Sequence, residues 1–246
     1  MATDVLPILL VHGAWHGAWS WSALQHALDT RGVPSYAIDL PGRGTSPVPA
    51  SGLAGDVEAV VSAVRVLGRP VTVVAHSYGG AVASVVAARE PLAASVVHVA
   101  AFALVAGESV TGFLRSAPRH PVGVSTLMQS QPDGSIVLDP DRAGEVYGTA
   151  LPELEVAAHV ARLSAQPADT LTGTVEADPF GLVPTSYVLC ARDDTVHPEH
   201  QQILAARCDR TITLDSDHFP MLHSAGALAD ALLTLTSVSV TSQGGS

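Results

Sequence analysis

Val71-Thr72-Val73-Val74-Ala75-His76-Ser77-Tyr78-Gly79-Gly80 decides the fold. Five apolar or β-branched residues make a buried strand that breaks at a polar pair, and Gly79 to Arg89 then runs small and Ala/Val-rich, as a helix packed on a sheet does. A strand that stops at a serine, with glycine two positions on, turns sharply into its helix. That turn lifts the serine hydroxyl above the sheet edge and exposes the next residue's N–H.

The same beat extends in both directions. Val5 to Val11, Pro34 to Asp39, Ser95 to Ala100, Thr185 to Ala191 and Arg210 to Leu214 read as short strands. Trp19 to Thr30, Leu53 to Leu67, Pro198 to Arg207 and Pro220 to Leu235 read as helices between or after them. Period two giving way to period 3.6 predicts βαβ units, hence a mostly parallel, doubly wound α/β sheet. The beat fails from 107 to 183, where short amphipathic stretches such as Asp141 to Ala150 and Glu153 to Leu163 stand among prolines. A structureless loop of that length is improbable in a compact domain. The expected organisation is a core of 1–106 and 184–236, a helical lid inserted at 107–183, and a flexible tail at 237–246.

The chain has 246 residues, 47% hydrophobic and 14% charged, enough for one sizeable core. Its net charge of −11 argues against nucleic acid, whose phosphates need clustered cations. All twelve basic residues are arginine, so chemistry resting on a lysine is excluded. Two cysteines are too few for a disulfide framework, no apolar run is long enough to span a bilayer, and Met1 to Asp4 lacks a basic flank. A cytoplasmic protein without membrane contact is the expectation; its oligomeric state is left open.

Three further clusters stand at predicted strand ends. His12-Gly13-Ala14-Trp15 follows the first strand, Asp193-Asp194 the strand ending at Ala191, and Ser216-Asp217-His218-Phe219 the last. A serine needs a base, an acid that orients the base, and donors for the developing oxyanion. Ser77 as nucleophile, Asp193 as acid and His218 as base meet that need, with the N–H groups of Ala14 and Tyr78 as donors. Asp194 is the alternative acid; Asp217 is too close to His218 in sequence and suits the turn. Gly13, Trp15, Tyr78 and Phe219 flank these atoms as candidate pocket walls. A metal on His12 and His16 would need a helix that Gly13 disfavours, and His197-Pro198-Glu199-His200 reads as a surface helix start. No metal or organic cofactor is required.

The chain order of oxyanion loop, serine, acid and histidine resembles the α/β-hydrolase superfamily. More closely, Leu9-Leu10-Val11-His12-Gly13-Ala14-Trp15-His16-Gly17-Ala18-Trp19, Ala37-Ile38-Asp39-Leu40, the elbow, Ser186-Tyr187-Val188-Leu189-Cys190 and Ser216-Asp217-His218-Phe219-Pro220-Met221-Leu222 resemble the plant methyl esterase and hydroxynitrile lyase family and its bacterial relatives. Ala75 departs from the family's usual first elbow glycine. The resemblance implies an α/β-hydrolase fold and hydrolysis of a small to medium apolar ester through an acyl-serine. Lyase members carry threonine at the position of Gly13 and lysine at that of Phe219, so the esterase branch is implied. Lactone or carbon–carbon bond hydrolysis, and a ligand receptor with a residual triad, are the other readings.

Overall fold

The computed structural model describes residues 5–147 and 151–236. The tail expected to be flexible, 237–246, lies outside them, as do the last three residues of the Asp141 to Ala150 stretch. Six strands form one parallel sheet: β1 (Ile8–Val11), β2 (Ser35–Ile38), β3 (Val71–His76), β4 (Ala93–Val99), β8 (Thr185–Cys190) and β9 (Arg210–Leu214), in the order β2-β1-β3-β4-β8-β9. The central β1, β3 and β8 are buried along their whole length, which is why they read as unbroken apolar runs.

Strand order reverses between β1 and β3. Right-handed crossovers therefore send α1 (Ser22–Asp29) to one face and α2 (Gly52–Leu67) and α3 (Gly79–Arg89) to the other. Accordingly α1 packs with α8 (Pro220–His223) and α9 (Ala225–Thr236), and α2 packs with α3. The crevice at such a reversal, at the carboxyl ends of the strands, is where open α/β sheets place their sites. Gly79 makes the approach at this point possible. A Cβ there would lie 2.7 Å from the His12 carbonyl oxygen and 2.8 Å from that of Val11.

Two expectations need correcting. The segment between β4 and β8 is not purely helical. It holds α4 (Val110–Ser116), α5 (Glu153–Val160), α6 (Ala168–Thr172) and two 3-10 turns, but also an antiparallel sheet of β5 (Met128–Ser130), β6 (Ser135–Leu138) and β7 (Gln166–Pro167). The cause is local: Gln131-Pro132-Asp133-Gly134 is a turn, with Gly134 at φ +81 and Asp133 Oδ1 accepting the Ser135 N–H, and β-branched Ile136 and Val137 follow it. Likewise, the last expected helix is two. Ser224 leaves helical geometry (φ −123, ψ 29) between α8 and α9, in keeping with serine's preference for helix starts.

Among the described residues no helix is long and apolar enough to cross a membrane.

Candidate active site

Ser77 occupies the turn between β3 and α3 with φ +50, a left-handed conformation that costs a non-glycine residue about 1–2 kcal/mol. The surroundings hold it there. Its carbonyl accepts the N–H groups of Gly80 (3.0 Å) and Phe102 (3.1 Å), and its own N–H donates to Val99 O (3.3 Å). Trp15, on the loop after β1, is a second left-handed residue, at φ +62. Backbone strain thus sits on both sides of one crevice.

The loop after β8 brings in Asp193, 3% exposed. Its Oδ1 accepts the N–H groups of Thr195 (2.7 Å) and Val196 (2.8 Å). Its Oδ2 accepts His218 Nδ1–H (2.7 Å) and Gln201 Nε2–H (2.8 Å). Gln201 is held in turn: its Oε1 accepts the Cys190 N–H and its Nε2 also donates to Val196 O. Asp194 makes no such contact with His218; burial and then the neighbouring Asp193 carboxylate raise its pKa. Asp217 receives the Phe219 N–H and pairs with His223, shaping the turn.

Two buried histidines brace the loops. His12 donates from Nδ1 to Gly13 O (2.8 Å) and accepts the Leu40 N–H at Nε2 (3.1 Å), which identifies its neutral tautomer. Burial lowers its pKa to about 4. The Gly13 carbonyl belongs to the peptide unit whose N–H is that of Ala14, so His12 fixes the plane of that donor. His76, beside Ser77, bonds through Nε2 to the carbonyl of His218 (2.8 Å), and its ring lies 4.4 Å from the His218 ring. Burial, and next the proximity of His218, keep it neutral.

Ser77 and His218 face one cavity, lined also by Ala14, Trp15, His16, His76, Val146, Thr195 and Phe219. Its volume is about 10 Å³, room for about one water molecule. A larger groove of about 610 Å³, against α7 (Pro198–Ala205), lies away from these groups. The segment between β4 and β8 closes the cavity. Trp15 Nε1–H donates to Ile136 O (2.9 Å), Ser164 N–H to Trp15 O (2.8 Å), and Tyr147 O–H to His16 Nε2 (3.0 Å).

Of the expected pocket walls, Trp15 and Phe219 line the cavity. Tyr78 does not: as the N-cap of α3 it already has helical backbone angles (φ −51, ψ −38), and its phenol turns into the core and donates to Asp56. Gly13 is not a lining residue either. It packs beneath, where a Cβ would lie 2.9 Å from both His76 Nδ1 and Ser77 Cβ. The sequence reading missed Gln201, Val146, Tyr147 and Thr195, which carry no local pattern. His76 had a signal, its adjacency to the serine.

His12 and His16 each spend Nδ1 on a backbone carbonyl, an arrangement of loop posts rather than of paired ligands. His120, His197 and Glu199 bring ligand-type atoms within 4.8 Å of one another. The two imidazoles, however, stack at 3.7 Å with planes 6° apart, so their in-plane lone pairs do not converge on one point. His197 caps α7 as expected, but His200 is buried, with Nε2 on Pro118 O.

The profile of the alpha/beta hydrolase family matches residues 8–231. Methyl jasmonate esterase 1 of Vitis vinifera is 28% identical over 243 residues, covering 87% of this chain and 90% of that protein. Methylesterase 7 of Arabidopsis thaliana is 28% identical over 257 residues, covering 92% and 95%. The crystal structure of a methylesterase protein MES16 from Arabidopsis superposes with a TM-score of 0.76 at 22% identity, covering 94% of this chain and 98% of that one, a likeness of fold.

Proposed function

The chain belongs to the alpha/beta hydrolase family, and from that premise we propose that it is a carboxylic ester hydrolase working through an acyl-serine. Ser77 Oγ attacks the ester carbonyl while His218 Nε2 takes its proton. Asp193 keeps the imidazole in the tautomer with Nδ1–H and stabilises the imidazolium that forms. The tetrahedral oxyanion rests on the N–H groups of Ala14 and Tyr78. Among the described residues neither donates to another protein acceptor, and the carbonyls of both peptide units are already bound from behind. His218 then protonates the departing alkoxide, and a water molecule, deprotonated by the same imidazole, releases the acid from Ser77.

The observation that carries this reading is the Asp193–His218 contact of 2.7 Å, with the imidazole on the same closed cavity as the left-handed Ser77. Val146, Trp15 and Phe219 give that cavity a largely apolar wall, which supports a small to medium apolar ester. The 22–28% identity of the full-length methylesterase relatives supports the same class. A cavity holding about one water does not admit an ester as it stands. Residues 107–183 therefore act as a lid that shifts to let substrate in.

The test is Ser77→Ala assayed on a panel of p-nitrophenyl and methyl esters, with lactones and β-diketones alongside. Loss of the serine is expected to lower kcat on the order of a million-fold. Near-normal ester turnover in the variant would refute the assignment, and wild-type activity confined to lactones or diketones would redirect it.

A further inference from the structure

Beneath the two amide donors runs a line of buried polar groups that the reaction scheme does not use. Arg43, 1% exposed, is ion-paired with Asp56, 0% exposed. Nε and Nη1 of Arg43 have no hydrogen-bond partner among the described residues. Asp56 Oδ2 accepts the phenol O–H of Tyr78, while the Thr170 hydroxyl donates to Pro167 O (2.6 Å). Gln166 Nε2–H donates to Thr170 Oγ1 (2.6 Å), and Gln166 Oε1 accepts the N–H of Trp15 (3.3 Å). One set of buried groups thus holds the residue after Ala14, and the other holds the Tyr78 side chain from below.

Stability does not account for these groups. A buried ion pair pays a desolvation cost that apolar side chains of similar shape avoid. What the line does achieve is mechanical. A phenol tied at its far end stops the Tyr78 side chain from turning, and the Trp15 N–H is tied by a fully buried glutamine. Each of the two backbones that carry the oxyanion donors is therefore anchored by a buried polar group.

We propose that Arg43, Asp56, Gln166 and the Tyr78 hydroxyl are positioning groups that set the spacing of the Ala14 and Tyr78 N–H groups for the tetrahedral intermediate. None of them touches substrate. The inference rests on the serine-esterase reading. Because Gln166 and Thr170 belong to the segment between β4 and β8, that segment's docking completes the brace.

Tyr78→Phe removes only the hydroxyl, and Gln166→Met keeps shape while removing the acceptor. Each is measured for kcat and KM on p-nitrophenyl butyrate and for the affinity of an aryl trifluoromethyl ketone, which adds to the serine as a tetrahedral adduct. Misplacement on the order of 1 Å can cost about a hundredfold in rate. We expect kcat to fall by roughly ten- to a hundredfold, with KM within about twofold and the ketone's affinity falling in parallel. A purely structural role would shift Tm and leave that split unmoved. Folded variants with wild-type kcat overturn the brace, as does a fall in kcat that leaves ketone affinity unchanged. A fluorophosphonate probe on the wild type separates the two levels. No labelling at Ser77 overturns the esterase reading and the brace with it; labelling with unaffected variants overturns the brace alone.

Discussion

Asp193→Asn exchanges one oxygen for an NH₂ group at the most densely bonded atom pair of the site. The carboxylate accepts four hydrogen bonds: two from the Thr195 and Val196 N–H groups at Oδ1, two from His218 and Gln201 at Oδ2. An asparagine keeps the two backbone bonds only by placing its carbonyl oxygen at the Oδ1 position. Its NH₂ then faces the Gln201 NH₂ and His218 Nδ1–H, donor against donor. Gln201 cannot flip to relieve this, because its Oε1 is held by the Cys190 N–H at 2.9 Å. The imidazole can, by moving its proton to Nε2, and that tautomer cannot accept the Ser77 proton. The same substitution in a serine protease triad costs about 10⁴ in kcat, which corresponds to about 5 kcal/mol of transition-state stabilisation. Charge-assisted bonds contribute about 1.5–3 kcal/mol each, so a fall in folding stability of about 2 kcal/mol should accompany it. Asp194→Asn touches neither His218 nor Gln201 and should leave kcat within a few-fold. The assay is steady-state ester hydrolysis with thermal melts of both variants. Asp193→Asn within tenfold of wild type, or Asp194→Asn as the inactive member, refutes the reasoning.

Acid should destabilise the fold. Burial lowers His12 to about 4 and His16 and His98 to about 3, so between those values and the unfolded value near 6.5 the unfolded chain binds more protons. The contribution is complete above pH 6.5 and declines below it, by about 2 kcal/mol per histidine at pH 5. Against a typical total of about 5–15 kcal/mol, Tm should drop steeply between pH 7 and 5; an unchanged Tm at pH 5 contradicts this. His98 is 0% exposed, and among the described residues neither ring nitrogen has a hydrogen-bond partner. His98→Leu should therefore raise stability at pH 7.5 by about 1–2 kcal/mol and flatten part of the acid loss; a lowered Tm at pH 7.5 would show that the ring is bonded after all.

Strands and helices of the core were legible because burial on both faces imprints itself on neighbouring residues. Val71 to His76 and Thr185 to Cys190 are apolar or β-branched along most of their length and lie where the pattern placed them. The elbow was legible for a related reason: a strained strand-to-helix turn needs small residues at set offsets from the serine. The insertion was harder. Its hairpin was written in Pro132-Asp133-Gly134, but three short strands leave too little periodicity to outweigh the neighbouring helical stretches.

By itself the sequence determined the order of the core strands and the four loops that carry Ala14, Ser77, Asp193 and His218, since local patterning and backbone strain are properties of adjacent residues. Only the tertiary structure decided which of two adjacent aspartates reaches the imidazole, that Tyr78 points into the core, and that Gln166, Gln201 and Tyr147 stand behind the site. Such contacts join residues far apart in the chain. They depend on where whole elements pack, and packing leaves no mark at the separate positions it brings together.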